Sequence, residues 1–284
     1  MAERPQFLQY MSEIGNSLGI SGLLYSRSGA FKETYRGTHI ASGVIVAVKV
    51  LLHSSESQLR LEREIAAMRK CEASHFPRLF YSDRFTTRDG VKLNLLVEEF
   101  LHGGNLSDRL LTGRFSPTRT KSVAKGVIEA INALHAQNLV HRDIKPDNIM
   151  FRDEGDDPIL VDFGLIRDLS KHSATLSWLP HGPGTPFFAA PEQLNNDKDL
   201  IDWRTDQFAL GVVISLTESG LHPYQRHHDE DPGEAVMRVA AREAIPQECK
   251  QRLLASSFPI VEKMVKAWPI HRVPSLANLM AAFN

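Results

Sequence analysis

The stretch His141-Arg142-Asp143-Ile144-Lys145-Pro146-Asp147-Asn148 is followed, fourteen residues after Asn148, by Asp162-Phe163-Gly164, and these two pieces decide how the chain is read. An aspartate, a lysine two residues on and an asparagine five residues on form a compact polar set on a loop. Moving a phosphoryl group needs such a set: a base to orient the attacking hydroxyl, a cation for the charge on the equatorial oxygens, and an oxygen ligand for Mg²⁺. Asp162 stands directly after the apolar strand Ile159–Val161 and offers a second oxygen ligand. Either fragment alone also reads as a polar turn with a capping aspartate. In this order and spacing, the pair is far more specific than either half.

Working outward from this loop, Val123, Val127, Ile128, Ile131 and Leu134 predict a long amphipathic helix just upstream. Further back the signals turn to β. Gly43 ends a turn before Val44–Leu52, whose β-branched density suits a central strand. Leu61, Ile65 and Met68 fall at helical spacing within 58–71, and Asp89-Gly90 sits between two alternating runs as a hairpin signal. Residues 1–24 read as an N-terminal extension with a short helix around Gln6–Ile14. Downstream, 165–188 is loop-like, and helical patterns cover 207–218, 233–244, 247–254, 258–267 and 275–283. The expected class is α+β. A β-rich small lobe with one helix (25–102) joins through Gly103-Gly104 to a helical large lobe (103–284), a common way to build a cleft.

The 284 residues are 42% hydrophobic and 24% charged, ordinary values for a globular chain, which excludes fibrous and disordered classes. Lysine plus arginine total 33 and aspartate plus glutamate 34, so neither nucleic acid nor an anionic membrane is expected as a bulk electrostatic partner. Cys71 and Cys249 stand apart from any metal-ligand spacing; with no apolar leader after Met1 and no membrane-length apolar run, a reducing, cytoplasmic location is the expectation.

On these motifs the chain resembles a eukaryotic-type (Hanks-type) serine/threonine protein kinase catalytic domain, with a bilobal fold over 25–284. The resemblance implies Asp143 as catalytic base, Lys145 on the transferred phosphate, and Asn148 and Asp162 as metal ligands. Val46-Ala47-Val48-Lys49 resembles the strand whose lysine meets the α- and β-phosphates, with Glu64 as partner of Lys49 and Glu62 as competitor for that role. Glu99 and Leu101 fall in the hinge, Thr34 and Ala47 beside the adenine, and Met150 at the pocket floor. ATP and Mg²⁺ are implied as cofactors, with Mn²⁺ as the alternative metal, and Ser/Thr hydroxyls of proteins as acceptors. Ala190-Pro191-Glu192 resembles the end of an activation segment, with Glu192 paired to Arg272, and Thr185 lies in the substrate-positioning loop. Asp206 caps the backbone of the catalytic loop in the same pattern.

The chain departs from the family pattern in three places. The glycine-rich loop falls on Arg27–Thr34, where only Gly29 and Phe31 match and where Arg27 and Lys32 bring charge or obstruction. Glu98 takes the gatekeeper place, usually apolar. A carboxylate there needs a partner or a proton, and Lys49 is the expected partner unless the strand is shifted by one residue and turns Glu98 to solvent. In the activation loop, His181 stands where a phosphosite is usual, leaving Thr175 and Ser177 as the nearest alternatives, with activation by a partner as another route. The first two departures favour a pseudokinase scaffold as the alternative function. A small-molecule phosphotransferase comes third, opposed by Ala190-Pro191-Glu192.

Overall fold

β-branched residues crowd the pleat between Ile45 and Leu52, and the strand they form is the centre of a five-stranded antiparallel sheet. The computed structural model describes residues 5–28, 32–71, 75–169 and 185–284, apart from the side chains of Ser55, Glu56, Ser57 and Arg60. The chain divides into a smaller unit, Met1–Glu72 with Pro77–Leu101, and a larger one, Ala73–Phe76 with His102–Asn284.

The smaller unit runs α1 (Met11–Leu18), β1 (Ile20–Ser28), β2 (Glu33–His39), β3 (Ile45–Leu52), α2 (Ser55–Lys70), β4 (Leu79–Thr86) and β5 (Lys92–Glu99), with sheet order β1-β2-β3-β5-β4. Asp89-Gly90 turns the β4–β5 hairpin, Gly90 at φ 86°. Period-two alternation splits β3 and β5 cleanly. Val46, Val48 and Val50 pair across to Glu99, Val97 and Leu95 on one face, while Ala47 and Lys49 pair to Glu98 and Leu96 on the other.

The first of these faces is covered by the N-terminal segment. Phe7, Met11 and Ile14 pack into one core with Tyr35, Val46, Val48, Val50, Leu93, Leu95 and Val97. The helix expected at Gln6–Ile14 therefore starts later, as a 3₁₀ turn at Leu8–Tyr10 that continues into α1. β1 begins at Ile20, so the boundary placed at Tyr25 falls inside a strand. Gly19 caps α1 in the left-handed conformation, and Gly22 supplies φ 64° at the register shift between Ser21 and Leu24. Glu33 ties the segment down: its Oε1 accepts from the Gln6 amide at 2.6 Å, and its Oε2 from the Phe7 amide at 3.1 Å and the Tyr35 hydroxyl at 2.5 Å.

The larger unit contains α3 (Leu106–Leu111), α4 (Pro117–Ala136), β6 (Leu139–Val140), β7 (Ile149–Phe151), β8 (Pro158–Leu160), β9 (Arg167–Asp168), α5 (Pro191–Leu194), α6 (Trp203–Ser219), α7 (Pro232–Ala240), α8 (Gln247–Leu254), α9 (Val261–Met264) and α10 (Leu276–Ala281). Ser116 caps α4 with Pro117 at its first turn, the expected start chemistry. α6 is buried along nearly its whole length and packs against α4 and α9. Several sequence expectations change here, among them the helix expected over 233–244, which ends at Ala240. The loop-like stretch after Leu165 contains β9, which pairs with β6. The helix expected over 258–267 shrinks to α9 because side chains capture the carbonyls beyond it: the Tyr224 hydroxyl donates to Val265 O at 2.9 Å and Arg272 Nε to Lys266 O at 2.8 Å.

Candidate active site

In the smaller unit, β2, β3 and β5 present Thr34, Ala47, Lys49, Leu96 and Glu98 on the face opposite the N-terminal segment. Thr34 pairs directly with Lys49 and is buried, as are Ala47 and Leu101. The Lys49 ammonium forms an ion pair with Glu98 Oε1 and stands 3.8 Å from Glu64 Oε1. Glu98 is 4% exposed, so the register that turns it to solvent does not occur. Burial pushes its carboxyl above the usual range against the pull of Lys49. Its Oε2 has no hydrogen-bond partner among the described residues. Lys32 donates to both oxygens of Glu64, at 3.0 and 3.3 Å, so α2 offers the expected carboxylate but Lys32 holds it more closely than Lys49 does. Glu62 instead accepts from Gln58 at the exposed surface. Glu99 receives the Arg78 amide at 3.2 Å. Gly29 and Phe31 lie outside the described residues.

In the larger unit the polar loop after β6 closes around one carboxylate. Asp143 Oδ2 accepts from Lys145 Nζ at 2.9 Å and from Asn148 Nδ2 at 2.9 Å. Its Oδ1 accepts from the Thr185 hydroxyl at 3.0 Å and the Thr185 amide at 3.2 Å. Lys145 Nζ also donates to Thr185 Oγ1 at 2.8 Å, which closes a ring of three side chains. The loop that carries them is held from below. Asp206, in the first turn of α6, accepts the backbone amides of His141 and Arg142 at 2.8 Å each. Burial pushes the Asp206 carboxyl upward, opposed by His141 and by those two amides. Arg142 needs this anchor because its φ of 68° lies in the left-handed region. Gln193 of α5 donates to Arg142 O at 2.8 Å, a tie with no signal in the sequence motifs.

His141 accepts the Asp143 amide at Nδ1 (3.3 Å), which leaves Nε2 to donate to Val161 O at 3.2 Å. The strand end before Asp162 is thereby fixed to the same loop, and the Val161 amide donates to Asn148 O at 2.9 Å. Phe163 is fully buried, edge-on to His141 and Phe76 at centroid distances of 5.5 and 5.3 Å. Asp162 takes φ 68°, and its Oδ1 accepts the Gly164 amide at 3.3 Å. Met150, on β7, bridges to Asn105. Glu192 and Arg272 form the expected pair, two parallel bonds of 2.7 Å between groups with no exposure. Ser177 and Thr175, together with His181, lie outside the described residues.

Comparison with known proteins gives the same reading. A family model described as "Protein kinase domain" matches residues 28–280. The chain belongs to the protein kinase family. Its relatives include the human "Myosin light chain kinase family member 4", 26% identical over 257 residues, covering 88% of this chain and 63% of that protein. The "CBL-interacting serine/threonine-protein kinase 14" of Arabidopsis thaliana is 30% identical over 206 residues, covering 70% and 44%. The "Serine/threonine-protein kinase pkn2" of Myxococcus xanthus is 31% identical over 204 residues, covering 69% and 24%. The chain thus spans between about a quarter and just under two thirds of the length of these relatives. Among the described residues, no helix of this kinase chain is long and apolar enough to cross a membrane.

Proposed function

We propose that this chain transfers the γ-phosphoryl group of ATP to serine or threonine hydroxyls of protein substrates. The observation that carries the reading is the Asp143 carboxylate, held on both oxygens by Lys145, Asn148 and Thr185. Asp143 orients the acceptor hydroxyl and takes its proton as the bond to phosphorus forms and the bond from the γ-phosphorus to the bridging oxygen breaks, with ADP leaving. Lys145, two residues on, supplies positive charge to the transferred group. Lys49 is assigned to the α- and β-phosphates, and Thr34 and Ala47, on its face of the sheet, to the adenine with Glu99 and Leu101.

The donor set fits Mg²⁺. Asn148 commits its Nδ2 to Asp143, so its amide oxygen is the atom on offer, and Asp162 adds carboxylate oxygens. Two protein oxygens completed by phosphate oxygens are the usual hold on this ion. When bound, Mg²⁺, with Mn²⁺ as the alternative, neutralises phosphate charge. Cys71 and Cys249 are both buried thiols, which suits a reducing compartment, and we place the protein in the cytoplasm.

A second reading, a kinase fold that binds nucleotide without transferring phosphate, is favoured by one observation, the hold of Glu98 on Lys49. One experiment separates the two. Purified wild type and Asp143→Asn are incubated with Mg²⁺ and γ-labelled ATP and a generic protein substrate, then mapped by mass spectrometry. Wild type labels Ser or Thr, and Asp143→Asn is slower by at least about 10²-fold with ATP affinity nearly unchanged. Equal labelling by both removes Asp143 from its role. ATP binding without any transfer favours the second reading.

A further inference from the structure

Four charged side chains line up inside the smaller unit: Lys32, Glu64, Lys49 and Glu98. Their spacing is uneven. Glu64 receives two bonds from Lys32 and stands 3.8 Å from Lys49, whereas Glu98 is in direct contact with Lys49. The two carboxylates are equally buried, at 3% and 4% exposure, but not equally satisfied. Glu98 has Lys49 on one oxygen and no hydrogen-bond partner on the other among the described residues. Cross-strand pairing with Ala47 fixes Glu98 on the same face as Lys49, so it cannot turn to solvent without breaking the sheet.

A buried carboxylate with a single cationic partner resists losing that partner, because the charge left behind has neither water nor donor. Phosphates that recruit Lys49 draw on the same ammonium. We propose that Glu98 is a positioning residue that competes with the nucleotide's phosphates for Lys49 and so sets the affinity of this chain for a nucleoside triphosphate. The proposal rests on the assignment of Lys49 to the phosphates made above. Lys32 supports the arrangement: by holding Glu64 it leaves Lys49 to Glu98.

The test is a pair of binding titrations in the presence of Mg²⁺, one with ATP and one with adenosine, which has the same base and sugar and no phosphate. Glu98→Gln keeps size and an acceptor oxygen but removes the charge. ATP then binds about tenfold more tightly while adenosine is unchanged. Glu98→Met, an apolar filler of similar length, moves ATP in the same direction. In a Lys49→Met background, Glu98→Gln no longer alters ATP affinity, since the contested cation is gone. Equal shifts for ATP and adenosine overturn the proposal, because Glu98 then only shapes the pocket. An unchanged or weaker ATP affinity in Glu98→Gln and Glu98→Met overturns it too, as does a gain that persists without Lys49. A folded wild type and Glu98→Gln that bind neither ligand overturn both this proposal and the nucleotide reading beneath it, a result distinct from the others.

Discussion

The buried ion pairs Glu192–Arg272 in the larger unit and Lys49–Glu98 in the smaller are built in opposite ways. Glu192 and Arg272 have no exposure and are matched atom for atom: two parallel bonds join them, Thr205 donates to Glu192 Oε1 at 2.9 Å, and Arg272 also reaches the carbonyls of Arg204 and Lys266. Every polar edge has a place to go, which is how a buried charge is kept without loss. Lys49 and Glu98 are nearly as deep, but one oxygen of Glu98 has no donor and a second carboxylate stands 3.8 Å from the ammonium. The completed pair locks α5 to the segment after α9. The incomplete pair holds the lysine that we propose for the phosphates. On that proposal, full satisfaction suits scaffold and partial satisfaction suits a group that exchanges partners.

The largest expected effect comes from breaking the completed pair. Arg272→Met leaves Glu192 charged and buried, and the large unit should lose about 3–5 kcal/mol, read as a lower urea midpoint. Adding Glu192→Gln should recover part of that loss, because the stranded charge is then gone. Additive losses from the two substitutions would mean that the groups act separately, and the contrast drawn above would fail.

The comparison also bears on how far the sequence could be read. The strand Ile149–Phe151 and the helix Gln247–Leu254 stand in the structure as their patterns imply. Contacts within about five residues, such as those among Asp143, Lys145 and Asn148, are legible because spacing alone places them together. The Glu192–Arg272 pair was legible only through family resemblance, since 80 residues separate its members. The hold of the N-terminal segment was not legible. Its buried apolar side chains are Phe7, Met11 and Ile14 with Tyr10 and Leu18 partly buried beside them, glycines interrupt its period, and its polar anchor is Glu33, 26 residues beyond Phe7. Lys32 read as a charge in a phosphate loop, yet its amine is bonded to Glu64 on α2. The partner of Glu98 depended on strand register, which the sequence left open between two values.

A third way of burying a titratable group sharpens the contrast. His222 is 1% exposed and carries no charge to pair. Its Nδ1 accepts the Tyr224 amide at 3.0 Å, and its ring meets Phe187 edge-on at 4.9 Å. Burial pushes its pKa down to about 3, against a hydrogen bond to the Phe187 backbone and assisted by the Arg252 charge. The folded pKa is depressed below the ordinary value of 6.5, so below that pH the unfolded chain takes a proton that the folded chain refuses. Stability from this group is whole above about pH 6.5 and falls by about 1.4 kcal/mol for each unit below, until about pH 3. Urea midpoints measured from pH 7 to pH 4 should show that slope, and His222→Gln should flatten it. An unaltered slope in His222→Gln would assign the acid sensitivity to other groups.

The smallest expected change is the one that tests the comparison most directly. Glu98→Met replaces a half-satisfied buried carboxylate by an apolar side chain of similar length and leaves Lys49 with Glu64 nearby. The lost Coulomb attraction and the removed desolvation cost nearly cancel, so stability should stay within about 1 kcal/mol of wild type, on either side. Glu192→Met, the same exchange in the completed pair, should instead approach the loss expected for Arg272→Met, because it strands a guanidinium with no exposure. Paired urea titrations of the two Met variants give the comparison as one difference. A Glu98→Met loss as large as that of Glu192→Met would make both pairs scaffold, and the idea that Lys49 rests in a contact made to be given up would have no support from stability.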